Sequence, residues 1–262
     1  MKTQPTGFSK KGLAIGGILL LLPLFALLAA SFPQSYSFTI PGEVVPVSKL
    51  GIKSTVYFVY LRSGVTRNFL EKTQLRLRYG DRVEFEADVR RDPLPESEEL
   101  ILEAEMRDDA IARAVHSVPE RPNGEDEATP VSAAGPDERI AAIRRNAEYL
   151  YGDSFGLMVA IGMREEADGS DYSRNGRYRI AGTGTLEEDL SVGSIGGIRV
   201  KLRSAEESGM DIFFVPKDKG LFPPGTSNQE EAEAMAEAGG YTISVVPVAS
   251  LDEALAYLDR LP

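Results

Sequence analysis

The chain contains no cysteine and no tryptophan, and its single histidine is His116. The lack of cysteine excludes disulfides, thiolate metal sites and cysteine nucleophiles together. A single histidine excludes metal sites that need several imidazole ligands, and it restricts any histidine-dependent mechanism to His116. We therefore expect no metal and no cofactor.

Basic residues are fewer than acidic ones, 29 against 40, so the formal net charge is −11. A broadly acidic surface repels phosphate backbones, and we expect no nucleic acid partner. The 262 residues suggest one domain or two small ones, and an apolar fraction of 42% is enough for a packed core. The oligomeric state stays open.

Residues 13–32 form a run without charge, and about 20 apolar residues are needed for a helix to cross a bilayer. Lys2, Lys10 and Lys11 precede the run, which predicts that the N-terminus stays in the cytoplasm. The alternative is a cleaved signal peptide. We expect residues 1–32 to be a single-pass membrane anchor and the rest of the chain to lie outside the cytoplasm.

Residues 33–116 are predicted to form a small β-hairpin and helix region. Residues 33–54 contain several prolines, which suits a stalk, and residues 55–61 are rich in β-branched and aromatic side chains, which predicts a strand. Residues 75–79 and 82–89 flank Gly80-Asp81, and the second segment alternates apolar with charged residues, which predicts a hairpin. Apolar residues at helical spacing predict an amphipathic helix over Glu96–His116.

Residues 117–136 are rich in proline, acidic and small residues, which predicts a linker. Helical and strand patterns alternate from Asp137 onward, so residues 137–262 are predicted to be an α+β domain. The predicted helices cover residues 137–150, 155–163, 198–207, 230–238 and 251–258. The predicted strands cover residues 178–186, 212–215 and 242–248.

Ser154 lies in Gly152-Asp153-Ser154-Phe155-Gly156, at the start of a helix that is apolar on all sides. Glycine at position 152 permits a tight turn and a close backbone approach, and a helix N-terminus offers N–H donors for an oxyanion. An α/β-hydrolase would need a histidine after the serine, and His116 precedes it. The alternative is that Ser154 or Asp153 only caps the helix.

Lys201 is predicted to point inward from the helix over residues 198–207, because it shares a face with Ile198, Leu202 and Ala205. Burial lowers the pKa of a lysine, and a neutral amine can act as a general base towards a serine hydroxyl. The alternative is a side chain whose stem packs while its ammonium group reaches water. Because no histidine is suitably placed, we interpret Ser154 and Lys201 as a catalytic dyad rather than as a helix cap and a lysine that reaches water.

These residues resemble the proteolytic domain of Lon-type Ser-Lys proteases. The resemblance lies in four blocks, residues 152–157, 180–186, 192–201 and 213–217, and it is closest to the membrane-anchored, ATPase-free, PDZ-containing secreted proteases of Gram-positive bacteria. It implies that Ser154 is the nucleophile, that Lys201 is the base, and that the Thr183 hydroxyl holds the amine. Thr183 could equally be an ordinary strand residue.

The sequence departs from that family in three places. Asp153 and Phe155 stand where proline and alanine are usual, so a charge lies beside the nucleophile and an aromatic ring could narrow the site. The linker over residues 117–136 stands where a PDZ domain would begin. The segment before Ser154 is helical and charged, where the family tends to have a strand.

No G-x-x-x-x-G-K-[ST] phosphate loop occurs in the chain. The sequence therefore predicts an ATP-independent serine endopeptidase that acts on flexible peptides or proteins. One alternative is a catalytically inactive Lon-like fold that serves as an interaction module. Another is an esterase or amidase that uses the same dyad.

Overall fold

The computed structural model describes residues 35–87, 96–119 and 135–262, with a few positions before them. The earlier described positions are Leu21, Pro23, Leu24, Phe25, Leu27, Leu28 and Phe32. The chain divides into two compact units. The larger comprises Ile40–Arg62 and Arg90–Pro262, and the smaller comprises Met1–Thr39 and Ser63–Val89. This division differs from the predicted boundaries, since the region 33–116 is shared between both units.

Eight strands and seven longer helices are found in the described residues. The strands are β1 (Tyr36–Pro46), β2 (Tyr57–Val65), β3 (Glu84–Ala87), β4 (Ile180–Gly182), β5 (Thr185–Leu186), β6 (Val192–Gly193), β7 (Ile212–Pro216) and β8 (Ser244–Val248). The helices are α1 (Phe69–Tyr79), α2 (Glu96–His116), α3 (Pro136–Asn146), α4 (Gly156–Asp168), α5 (Ile198–Glu207), α6 (Asn228–Gly239) and α7 (Leu251–Asp259). Short 3₁₀ turns cover Val47–Leu50 and Gly80–Arg82.

The larger unit is built on a sheet in the strand order β1-β2-β4-β7-β8. Strands β2, β4, β7 and β8 run parallel, and Gly182 is level with Phe58 on one side and Phe214 on the other. Strands β5 and β6 form a separate antiparallel pair. Because parallel strands end at the same edge of a sheet, the segments that follow β4 and β7 begin close together.

Each face of this sheet packs against its own apolar cluster. Successive residues of β7 alternate between the clusters, with Phe214 in one and Phe213 in the other, as expected for side chains of period two. Helices α2, α3, α4 and α7 supply the first cluster, and α5 and α6 supply the second. The α+β character of the chain is therefore correct, with helices on both faces of the larger sheet.

Two predicted helices have the bounds that the sequence indicated. Helix α2 covers Glu96–His116 and α5 covers Ile198–Glu207, as predicted. Helix α4 begins at Gly156 and continues to Asp168, five residues beyond the predicted end. Most of the predicted linker over residues 117–136 lies outside the described residues.

The predicted β-hairpin in the smaller unit is wrong. Residues 75–79 belong to helix α1, which begins after Asn68, whose side chain accepts a hydrogen bond from the Glu71 N–H. Strand β3 instead pairs antiparallel with the first residues of β1, from Tyr36 to Thr39. Lys72 lies over the Tyr36 ring, 3.1 Å from its centroid.

The prediction of a single-pass membrane anchor is contradicted. Of the helices in the described part of the chain, none has both the length and the apolar character that a membrane span requires. Most of the predicted span, residues 13–32, lies outside the described residues, and those described between Leu21 and Leu28 are helical. The extracytoplasmic location depended on this anchor and is not supported either.

Candidate active site

Three segments of the larger unit bring Ser154, Thr183 and Lys201 together. Ser154 immediately precedes α4, Thr183 follows β4, and Lys201 lies in the first turns of α5. Lys201 Nζ donates hydrogen bonds to Ser154 Oγ at 2.6 Å and to Thr183 Oγ1 at 2.9 Å. Helices α4 and α5 pack on opposite faces of the sheet, so these side chains meet at its edge, beyond the end of β4.

The backbone before α4 turns sharply to present Ser154. Gly152 adopts the left-handed conformation with φ of 74°, and its N–H donates to the Glu103 carbonyl oxygen at 3.0 Å. Glycine is favoured at this turn because it adopts a positive φ without strain. An added Cβ at Gly152 would meet no atom within 4 Å, whereas one at Gly156 would lie 3.2 Å from the Leu186 nitrogen, so the tighter backbone contact is at Gly156.

Lys201 is buried, with 3% of its surface exposed. It lies on the face of α5 that holds Ile198, Leu202 and Ala205, all of them buried in the second apolar cluster. The predicted inward orientation is therefore confirmed. The alternative of an ammonium group that reaches water is excluded by this burial.

Burial lowers the pKa of Lys201 from its ordinary value of 10.5 to about 7. The charge of Asp153 acts in the opposite direction and raises this pKa. An amine with a pKa near 7 is about half neutral at physiological pH. The neutral amine has a lone pair that can accept the proton of a hydroxyl at hydrogen-bonding distance.

Thr183 fixes the direction of the hydrogen bonds around the amine. Its hydroxyl donates to the Ser154 carbonyl oxygen at 2.9 Å, so Oγ1 is left to accept from Lys201 Nζ. Gly184 N–H donates to the same carbonyl oxygen at 2.8 Å, which ties the serine turn to the segment after β4. An N–H of Lys201 is therefore directed at Thr183 while Ser154 Oγ remains within reach of the nitrogen.

Asp153 is half-buried beside the dyad. Burial raises the pKa of its carboxyl group, its own backbone N–H lowers it, and the nearby charge of Glu187 raises it. The charges of Lys201 and Arg113 have smaller, lowering effects. The sequence identified Asp153, and the structure adds Glu187 and Arg113, whose contribution no local pattern indicated.

Phe155 does not narrow the space around Ser154. Its side chain is buried, and its ring packs against that of Phe58 with the centroids 5.6 Å apart. The Phe155 ring therefore lies in the first apolar cluster. The expectation that Phe155 could restrict the site is wrong.

Two backbone donors are available at the start of α4. In residues 135–262, the N–H groups of Ser154 and Phe155 make no hydrogen bond to the protein, whereas the next N–H, that of Gly156, donates to the Asp153 carbonyl oxygen at 2.9 Å. Free N–H groups at a helix N-terminus stabilise negative charge. Because they belong to the turn that carries Ser154, these N–H groups are candidate donors for the oxygen of a tetrahedral intermediate.

His116 lies exposed at the end of α2, consistent with its interpretation as a surface residue. It lines a groove of about 370 Å³ between α2 and the turn after β5. Arg113, also in this groove, donates to the Leu186 carbonyl oxygen at 3.3 Å. The remaining residues that line the groove are Asp109, Ala112, Glu187, Glu188 and Leu190.

In the described ranges, no group of three or more histidine, aspartate or glutamate side chains is arranged to hold a metal ion. No protein-family model matches the chain, and no characterised protein matches it in sequence. The resemblance to Lon-type proteases therefore stays a prediction, and the chemistry of this site is argued from its own geometry.

Proposed function

We propose that this protein is a serine hydrolase in which Ser154 is the nucleophile and Lys201 its general base. The observation that supports the proposal is the 2.6 Å separation of Lys201 Nζ and Ser154 Oγ, with the lysine buried and its pKa lowered to about 7. A nucleophile and a base at hydrogen-bonding distance, with a third group to orient the base, are the common elements of covalent hydrolytic sites. Thr183 is that third group.

The first step forms an acyl-enzyme. Neutral Lys201 Nζ accepts the Ser154 hydroxyl proton as Oγ attacks a carbonyl carbon, and the resulting oxyanion accepts hydrogen bonds from the Ser154 and Phe155 N–H groups. The Lys201 ammonium then donates its proton to the leaving amine as the C–N bond breaks. A water molecule then attacks the ester carbon while Lys201 takes its proton. As the bond from this carbon to Ser154 Oγ breaks, Lys201 returns the proton to Oγ and the carboxylic acid product leaves.

We propose peptide bonds of flexible substrates as the target. The four sequence blocks that resemble Lon-type proteases support an endopeptidase, and they include Ser154, Thr183 and Lys201. The chain has no phosphate-loop motif, which supports cleavage without ATP. Without an ATP-driven unfolding step, segments that are already extended are the reasonable substrates.

A second candidate is a non-catalytic interaction module with the same fold. The observation that favours it is Asp153, whose carboxylate, when ionised, places negative charge beside the site where a substrate carbonyl oxygen would have to become an oxyanion. Burial raises the pKa of Asp153 and so disfavours its ionised form. The two functions differ in whether Ser154 forms a covalent adduct.

The experiment compares wild type with Ser154→Ala and Lys201→Met on a mixture of unstructured peptides without ATP, with products identified by mass spectrometry. We expect both substitutions to abolish cleavage. Ser154→Ala removes the oxygen that gives up the proton, and Lys201→Met removes the nitrogen that accepts it. Exposed Ser97 and Lys219 provide matched controls, and Ser97→Ala and Lys219→Met should cleave like wild type.

Wild-type rates that persist in folded Ser154→Ala or Lys201→Met protein would eliminate the dyad. A wild-type protein that hydrolyses small esters but no peptide would favour an esterase. Absence of any turnover or adduct would favour the interaction module.

A further inference from the structure

The loop before helix α5 is held by one side chain from another helix. Asn228 Oδ1 accepts a hydrogen bond from the Ile195 N–H at 2.8 Å, and Asn228 Nδ2 donates to the Ile195 carbonyl oxygen at 2.9 Å. One amide side chain thereby satisfies both polar backbone groups of Ile195, as a paired strand would.

This contact lies two residues before Gly197, the residue that immediately precedes α5. Gly197 has a φ of 67°, and its carbonyl oxygen accepts the Lys201 N–H at 3.0 Å. Gly196 is exposed, and an added Cβ there would meet no atom within 4 Å. The two successive glycines contribute no side-chain packing. The path from Ile195 to α5 is therefore held at its two ends, by Ile195, which is partly buried against the second apolar cluster, and by Ile198, which is buried in it.

Asn228 is itself rigidly placed. It is the first residue of α6, and the preceding Ser227 forms a capping box with Glu230. The Ser227 hydroxyl accepts from the Glu230 N–H, and the Glu230 carboxylate accepts from the Ser227 N–H. Helix α6 also shares the second apolar cluster with α5. The capping box and the apolar contacts of α6 therefore hold the Asn228 side chain in place.

We propose that Asn228 is a positioning residue for the Lys201 base. It holds the Ile195 backbone, which fixes the two-glycine hinge and hence the place at which α5 begins. That start decides whether Lys201 Nζ lies within reach of Ser154 Oγ and Thr183 Oγ1. The proposal rests on the hydrolase function proposed above, but its structural part, the placement of the amine, can be measured without turnover.

The test uses Asn228→Ala, which removes both hydrogen bonds, and Asn228→Asp, which keeps an acceptor for the Ile195 N–H. Gln229→Ala is the matched control, since it removes a neighbouring amide on α6 that bonds Asp218 and Glu233 rather than Ile195. The first readout is the titration of Lys201 by NMR in protein labelled at the lysine Cε. The second is the pH dependence of kcat and KM on a peptide substrate.

We expect the Asn228→Ala substitution to raise the pKa of Lys201 above about 7, because a released amine moves towards water. The kcat should fall by about 10- to 100-fold, since small displacements of a catalytic group have effects of this size. The KM should change by less than about threefold, and the limb of the pH profile on the acid side should move to higher pH. Asn228→Asp should be intermediate, and Gln229→Ala should match wild type.

An unchanged Lys201 titration in folded Asn228→Ala protein would overturn the proposal, and so would an equal shift in Gln229→Ala. If Asn228→Ala does not fold, the Lys201 titration is measured in Asn228→Asp, and an unchanged pKa there would overturn the proposal. If wild type turns over neither peptides nor small esters, the hydrolase proposal fails, while the titration still tests the placement of the amine.

Discussion

The Thr183 hydroxyl donates to the carbonyl oxygen of Ser154, the residue whose own hydroxyl lies 2.6 Å from the Lys201 amine. Thr183 therefore links the backbone of Ser154, the proposed nucleophile, to the side chain of Lys201, the proposed base. The link is possible because β4 ends at Gly182, and the chain passes directly over the serine turn, where Gly184 N–H bonds the same carbonyl oxygen.

The Thr183→Val substitution should slow acylation of Ser154 by about 10- to 100-fold, because the amine loses the acceptor that orients it. Loss of an acceptor for the ammonium form lowers the pKa of Lys201 further, so the acid limb should move to lower pH. Thr183→Ser keeps the hydroxyl and should retain activity. Acylation rates from pH 5 to 9 measure both effects. An acid limb that moves to higher pH in Thr183→Val would contradict this role.

Lys201→Met should remove a pH dependence from the stability of the fold. The folded pKa of Lys201 is about 7 and its ordinary value is 10.5, so between these values the unfolded chain binds the extra proton. The free energy of unfolding of wild type should therefore rise with pH across this window relative to Lys201→Met. Denaturant titrations at pH 6, 8.5 and 10.5 measure the difference. Parallel curves for the two proteins would show that the amine is not buried in solution.

Gly152→Ala should destabilise the serine turn, because the left-handed φ of 74° costs a residue with Cβ about 1–2 kcal/mol. The measurement is the free energy of unfolding together with the acylation rate. Gly152→Asn should be milder, since asparagine tolerates this conformation better. Gly135→Ala is the control, as Gly135 has a φ of −63° and open space around it. Equal effects at positions 152 and 135 would exclude strain as the cause.

Glu165 fixes the segment before β2 to helix α4. It is buried, and its carboxylate accepts hydrogen bonds from Ser54 Oγ at 2.6 Å, Thr55 N–H at 2.8 Å and Tyr172 N–H at 2.9 Å. Glu165→Gln should lower the free energy of unfolding by about 2–3 kcal/mol, because an amide cannot accept all of these donors.

The measurement for Glu165→Gln is chemical denaturation, with Glu188→Gln as a control in an exposed turn. The pKa of Lys201 should be unchanged in Glu165→Gln, because the hydrogen-bond partners of Glu165 lie away from Lys201 and Ser154. A stability equal to wild type would mean that the second side-chain oxygen of Glu165 is not needed as an acceptor.

The sequence located the dyad because both of its members lie in strongly patterned segments. Helix α5 is amphipathic, so the position of Lys201 on the same face as Ile198, Leu202 and Ala205 predicts that its side chain points inward. The glycines around Ser154 indicated a turn at a helix start in the same way. Local periodicity is sufficient to predict the direction of a side chain where one face of a helix is buried.

The hairpin prediction failed in its first segment only. The alternation of residues 82–89, on which the prediction rested, does contain strand β3. Residues 75–79 were assigned as the partner strand, but they belong to α1, in which no residue is buried. The Asn68 cap and the run of good helix formers determined the local structure instead.

The groove and the Asn228 contact could not be predicted, since both join segments far apart in the chain. Asn228 bonds a residue 33 positions away, and Arg113 bonds Leu186 at a separation of 73. No periodic pattern specifies such pairs.

The central claim is that Ser154 is a nucleophile activated by Lys201, and covalent labelling tests it most directly. Wild type, Ser154→Ala and Lys201→Met would be treated with a fluorophosphonate from pH 5 to 9, and the intact mass and the modified residue determined, with an active serine hydrolase as positive control. We predict a single adduct on Ser154, with a labelling rate that rises through a midpoint near pH 7 and is lost in both variants. No adduct on wild type while the control reacts, or labelling that persists in Lys201→Met, would contradict the account.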